Sequence, residues 1–136
     1  MIVGEIMTAN VVTINMDSSL RDVSQILSEK KFHHLLVVKD KKLMGVISDR
    51  DFIKYLSPFL HSLSERDQDR ATLNTKAHQI MTRNPITVLR TTPIDDATKL
   101  LLDHNISCLP VISDEGNIEG IVTWKDFLKW SFFFKI

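Results

Sequence analysis

The chain repeats itself, and no other feature constrains its fold as strongly. Ile6-Met7-Thr8 recurs as Ile80-Met81-Thr82, with Met7 falling on Met81, 74 positions on. The same register carries Asn10 onto Asn84, Thr13 onto Thr87, Asp22 onto Asp96 and Leu27 onto Leu101, and Leu35-Leu36-Val37-Val38 onto Leu109-Pro110-Val111-Ile112. One residue is then added within Asp114-Glu115-Gly116-Asn117. Beyond it Gly45 falls on Gly120, Ser48 on Thr123 and Asp51-Phe52 on Asp126-Phe127. An insertion confined to a turn, with both flanks in order, is what an internal duplication produces. A copy of about 55 residues is marginal as an independent domain, so the 136-residue chain reads as one unit of two halves sharing a core.

Within each copy the pattern predicts β-α-β-β-α. Residues 11–14 and 85–89 are short extended runs rich in β-branched side chains. Leu20, Val23 and Leu27, like Ile94, Ala97 and Leu101, recur at the spacing of one helix face. Thr92-Pro93-Ile94-Asp95 predicts a helix start with Thr92 as cap; Ser18 holds the corresponding place in the first copy. Two strands follow, at 35–38 and 43–48 and again at 109–112 and 118–123, and a second helix begins at Asp49 and at Trp124. The fold class is therefore α/β, with helices covering a small sheet. Repeat one spans residues 1–56 and repeat two 77–136. Residues 57–76 are a linker, and the segment 64–70 carries no apolar side chain, so it reads as solvated connector.

Composition removes several classes of function. Lys plus Arg and Asp plus Glu number 17 each, so no basic excess exists to displace counterions from DNA. Zero net charge also leaves little self-repulsion against association. One cysteine, Cys108, flanked by apolar residues, forms no internal disulfide and no zinc-type cluster and reads as a buried thiol. No run approaches the ~20 apolar residues of a membrane span and the N-terminus lacks a signal-peptide pattern, so a cytoplasmic protein is expected. The five histidines show no metalloprotease spacing, and an Asp49-x-Asp51 metal pair is not repeated, because Trp124 takes the first place in the second copy. No metal site, no catalytic residue and no required cofactor is predicted.

The sharpest motif occurs twice: Gly45-Val46-Ile47-Ser48-Asp49-Arg50-Asp51 and Gly120-Ile121-Val122-Thr123-Trp124-Lys125-Asp126. Ser/Thr-x-x-Asp at a strand-to-helix junction is a capping signal in its own right. The same geometry suits a nucleotide. Helix N-termini favour anions, a carboxylate there accepts two hydrogen bonds from a vicinal diol, and Arg50 and Lys125 stand beside it to meet phosphate. Together with the Ile-Met-Thr starts and Leu109-Pro110-Val111, these paired motifs resemble a tandem cystathionine-β-synthase (CBS) domain pair, or Bateman module, over residues 3–56 and 77–131.

The resemblance implies two CBS repeats packed through their sheets with pseudo-twofold symmetry, and a regulatory sensor rather than an enzyme. It implies two clefts for adenosine ligands: AMP, ADP, ATP or S-adenosylmethionine. One would combine Ser48 and Asp51 with Thr82, Pro85, Thr87, Ile106 and Ser107; the other Thr123 and Asp126 with Thr8, Asn10, Thr13, Phe32 and His33. In each, the Asp would hold ribose hydroxyls and main chain would read adenine. Departures from the family pattern are Leu36 where the second copy has Pro110, Val11 where it has Pro85, and Trp124, which has two readings: stacking on a base or blocking the cleft. The implied partners are an adenosine ligand, a second copy in a homodimer and a separate effector protein, with no DNA and no membrane. The alternative is a ligand-free interaction scaffold, whose support is the aromatic C-terminus of Phe127, Leu128, Trp130, Phe132, Phe133 and Phe134.

Overall fold

The computed structural model describes residues 1–30, 33–56, 58 and 60–134, without the side chains of Lys30, Phe133 and Phe134. Its elements are β1 (Thr13–Asn15), α1 (Leu20–Lys30), β2 (His34–Lys39), β3 (Lys42–Ser48), α2 (Asp49–Tyr55), α3 (Asp67–Ala71), α4 (Ala77–Ile80), β4 (Thr82–Arg83), α5 (Ile94–His104), β5 (Cys108–Ile112), β6 (Ile118–Thr123) and α6 (Trp124–Phe134). The chain is a mixed α/β protein. Its contacts gather into two compact units, one of Val12–Asp40 and Met44–Asn84, the other of Met1–Val11, Lys41–Leu43 and Pro85 onward.

In the first unit the strands run in the order β1-β2-β3-β4. β1 lies parallel to β2, with Ile14 opposite Val37, and β4 lies antiparallel to β3, with Thr82 opposite Val46. The turn from β2 to β3 places Asp40 and Lys41 at φ 51° and 66°, the pair of left-handed residues that matches the twist of a two-residue hairpin. Leu20 and Val23 of α1, Leu35 and Val37 of β2, Ile47 of β3 and Phe52 of α2 form the core, completed by Ala77, Ile80 and Met81. Each fully buried leucine among them contributes about 2–3 kcal/mol by leaving water.

The second unit repeats this core position for position: Ile94, Ala97, Leu109, Val111, Val122 and Phe127, completed by Val3. The completing residues come from the opposite copy's leader, so the Ile-Met-Thr segment at residue 6 serves the second copy and that at residue 80 the first. Thr8 bridges Ile121 antiparallel, as Thr82 does Val46, and Val88 bridges Val111 parallel, as Ile14 does Val37. The outer members of this sheet are single bridges, and on the side of β5 Pro110 supplies the reason. In the first copy the Leu36 N–H donates to the Val12 carbonyl at 3.0 Å. Proline has no N–H to give at the matching place.

Three local expectations are corrected. The cap of α1 is Ser19, not Ser18: its hydroxyl accepts from the Asp22 N–H at 3.2 Å and Asp22 accepts from the Ser19 N–H at 3.1 Å. Thr92 does not cap α5; its hydroxyl accepts the Leu89 N–H at 3.1 Å, and Pro93 holds the cap position without a side-chain bond. The solvated connector contains α3, in which Asp69 is buried and accepts the Arg66 N–H at 2.8 Å.

Candidate functional site

In the first unit, β3 runs directly into α2 and the motif makes the junction. Ser48 is extended (φ −93°, ψ 161°) and caps α2: its hydroxyl accepts the Asp51 N–H at 3.1 Å, while Asp51 Oδ2 accepts the Ser48 N–H at 3.1 Å. Both side chains are half-buried, whereas Arg50 is exposed in the first helical turn and Thr82 is exposed across from β3. Gly45 is required by close approach: a Cβ there would stand 2.7 Å from the Thr82 carbonyl oxygen and 2.5 Å from Met81 Sδ. Asp49, the residue between cap and carboxylate, meets His33. Its N–H donates to the His33 carbonyl at 2.9 Å, and its Oδ2 lies 2.9 Å from His33 Nδ1. A carboxylate only accepts, so the ring nitrogen carries the proton. This bond holds the Asp49 carboxyl below its usual range.

Beside it, burial pushes the His34 imidazole below its ordinary value, opposed in part by the charge of Asp49. The sign follows from proton uptake. Below an unfolded value near ~6.5 the unfolded chain binds a proton that the folded His34 resists, so stability is full above that value and falls as pH drops through it. Melting temperature is expected to decline from pH 7 toward pH 5, and His34→Gln to flatten that slope. An unchanged slope in the variant assigns the loss to other groups.

In the second unit, β6 runs into α6 by the same construction. Asp126 Oδ2 accepts the Thr123 N–H at 3.0 Å, and the Thr123 hydroxyl lies 3.4 Å away. The exposed Thr8 hydroxyl donates to Asp126 Oδ1 at 3.3 Å, long for such a bond, so the carboxylate is held loosely on that side. Gly120 admits the leader: a Cβ would stand 2.7 Å from the Thr8 carbonyl oxygen. Lys125 is exposed. Trp124 donates its main-chain N–H to the Ser107 carbonyl at 3.2 Å and its indole N–H to the Ile106 carbonyl at 3.2 Å. The indole edge is thus spent on the loop, although the residue stays 39% exposed.

The remaining candidates are placed as follows. Asn10 is exposed in the leader that carries Thr8, Pro85 and Thr87 are half-buried just before the Val88 bridge, and Thr13 is exposed at the start of β1. Phe32 lies outside the described residues. Asp126 contacts both Thr8 and Thr123; Ser48 and Asp51 are in contact beside the Thr82 strand. Sequence reasoning missed two pairings, His33 with Asp49 and Trp124 with Ile106. Among the described residues no three His, Cys, Asp or Glu side chains cluster as a metal site, and no helix is long and apolar enough to cross a membrane. Chemically, each junction offers a carboxylate with spare lone pairs, a hydroxyl and a neighbouring cation. Such a set has the chemistry to accept hydrogen bonds from hydroxyls and to meet phosphate.

Comparison with known proteins gives the family. The model of the CBS domain family matches residues 3–58 and 77–132. A CBS domain-containing protein of Dictyostelium discoideum is 35% identical over 129 residues, covering 93% of this chain and 88% of that protein. Other relatives are longer: the chain spans 46% and 38% of two uncharacterized proteins of Methanocaldococcus jannaschii. Among solved structures, CBSX2 in complex with AMP superposes with a TM-score of 0.81 at 29% identity, covering 99% of this chain and 98% of that one. The CBS domain pair of protein MJ0100, in complex with 5′-methylthioadenosine and S-adenosyl-L-methionine, gives 0.76 at 30% identity, covering 95% and 98%. With the family model matched once by each copy, and each copy carrying its own Gly-to-Asp junction, the chain belongs to the CBS domain family as a tandem pair of CBS domains.

Proposed function

We propose that the protein is a regulatory module that binds an adenosine-containing ligand and acts on a separate partner protein, without catalysis of its own. The observation that carries this reading is the duplicated junction: Asp51 and Asp126 each stand in the first turn of a helix, fixed by a cap bond and with lone pairs to spare for a ribose diol. Solved relatives at 29–30% identity hold AMP, or methylthioadenosine and S-adenosylmethionine, which supports adenosine as the common chemistry. Repeats bounded at 1–56 and 77–136 belong to the same proposal. So do the assignments of Ser48, Thr123 and the base-side residues to ligand contact.

A ligand shifts a conformational equilibrium only by its differential affinity for the two states, so the signal requires a ligand-dependent change in shape or partner affinity. A thermal-shift panel of AMP, ADP, ATP, S-adenosylmethionine and NAD tests the binding. At a hundredfold excess over its dissociation constant, a bound ligand adds about 2.7 kcal/mol of apparent stability, a rise of several degrees. If none raises the melting temperature of ligand-free protein, a second reading replaces this one. That reading, an interaction scaffold, rests on Leu128 and Phe132 of α6, which are 64% and 82% exposed. Removing residues 131–136 and measuring mass in solution tests it: loss of a dimer places the tail in the contact, and an unchanged mass removes it.

A further inference from the structure

The two copies make the same connection with different chemistry. In each, the first residue of the motif helix donates its main-chain N–H to the carbonyl of the residue just before the inner strand, β2 or β5: Asp49 to His33 at 2.9 Å, Trp124 to Ser107 at 3.2 Å. In each, the side chain of that helix residue then makes a second bond to the same loop. Asp49 accepts a hydrogen bond from the His33 ring at 2.9 Å, and Trp124 donates its indole N–H to the Ile106 carbonyl at 3.2 Å. A carboxylate acceptor on one side and a neutral donor on the other share only their consequence, which is a loop tied to the helix by two bonds.

In the second copy the loop is held from its other end as well. Asn105 turns the chain with a left-handed φ of 52°, and the Ile106 N–H returns to the Leu101 carbonyl at 3.2 Å. The Ile106 carbonyl is held by Trp124, so both main-chain groups of Ile106 are bonded. Both clamping residues stand between the cap and the carboxylate of their motif, Ser48 and Asp51 in one and Thr123 and Asp126 in the other. Each loop is thus fixed to a helix turn that also carries a motif carboxylate.

We propose that Asp49 and Trp124 are positioning residues that fasten the loop before each inner strand to its motif helix, and so hold the main chain that discriminates the ligand's base. The inference rests on the proposed adenosine-binding function. It gives the His33–Asp49 pair a purpose that no metal or catalytic reading supplies.

The test compares ligands that differ only at the base: AMP against IMP, and ATP against ITP, with dissociation constants measured by calorimetry. The variants are Asp49→Asn, Asp49→Ala and Trp124→Phe, each first shown to melt cooperatively. Wild type is expected to prefer the adenine member. Asp49→Ala and Trp124→Phe should each lower that preference about threefold to tenfold, the worth of one net hydrogen bond. Asp49→Asn, which keeps an oxygen to accept the His33 proton, should retain it. A merely structural role would weaken both members of each pair equally and leave the ratio alone. Ratios within twofold of wild type in both clamp-breaking variants overturn the proposal, and so does Asp49→Asn losing as much as Asp49→Ala. If Asp49→Ala fails to fold, Trp124→Phe, which keeps the ring and loses only the N–H, decides. Wild type binding the ligands with no base preference overturns the clamp alone; wild type binding none of them overturns the adenosine reading and the clamp with it.

Discussion

Gly120→Ala is expected to destabilise the protein by about 2 kcal/mol, and Gly45→Ala by a similar amount. Neither glycine has a positive φ, and a strand glycine replaced by alanine ordinarily gains about 0.5–1 kcal/mol through lost freedom of the unfolded chain. Space reverses the sign. The added Cβ at 120 meets the Thr8 carbonyl oxygen at 2.7 Å and Met7 Sδ at 3.0 Å; at 45 it meets the Thr82 carbonyl oxygen at 2.7 Å. A methionine sulfur can swing aside. A carbonyl can move only by breaking its strand pairing, here the Thr8–Ile121 bonds of 2.8 and 2.9 Å. Overpacking of this kind costs about 1–3 kcal/mol, and a backbone obstacle belongs at the top of that range. For a chain of this size the melting temperature should fall by about 5–10 °C. Urea unfolding of both variants checks it, and an increase in stability at either position would show that the leader does not pass over the glycine.

The same glycines show how far the sequence could be read. Gly45 and Gly120, the Ile-Met-Thr leaders and the Ser/Thr-x-x-Asp motifs stand out because duplication prints each of them twice. What duplication could not disclose is that each leader serves the other copy's sheet, since the register relates like to like and carries no information on which strand meets which. Inner strands and helix faces were legible because 2.0 and 3.6 periodicity depends on a side chain's own neighbours. Capping failed where two hydroxyls competed. Ser18 and Ser19 are adjacent, and only Ser19 has an acid three residues on, at Asp22; Thr92 found the Leu89 N–H within reach first. The missing outer strand of the second copy follows from Pro110, whose effect falls on a different segment from its own. The helix α3 was hidden because its burial rests on Asp69, a charged residue that a hydropathy pattern counts as solvent-facing. At the site, the capped carboxylates were visible in four-residue motifs. The clamps were not, because His33 and Asp49, or Ile106 and Trp124, are joined by packing across a whole β-hairpin.

Replacing both motif carboxylates, Asp51→Ala with Asp126→Ala, is expected to cut the ligand-induced rise in melting temperature to about half or less. A ribose diol donating two hydrogen bonds to a carboxylate makes charge-assisted contacts, and their loss corresponds to about tenfold to hundredfold in dissociation constant for the affected motif. Folding is affected as well, because each carboxylate accepts its cap residue's N–H, at 3.1 Å for Asp51 and 3.0 Å for Asp126. Losing that bond costs about 1 kcal/mol without any ligand. Asp51→Asn and Asp126→Asn separate the two effects: the amide oxygen can still accept the cap N–H, while the charge that strengthens the diol contact is gone. Ligand-free melting should therefore stay near wild type in the Asn variants and drop in the Ala variants, with affinity weakened in both. The single substitutions should weaken binding unequally, because Asp126 has the Thr8 hydroxyl on its second oxygen at 3.3 Å and shares its turn with Trp124, whereas Asp51 shares its turn with Asp49. A second carboxylate beside the first repels a phosphate, so the motif at Asp126 is expected to carry the larger loss for AMP, ADP or ATP. Full ligand response in the double Ala variant would remove both carboxylates from the site.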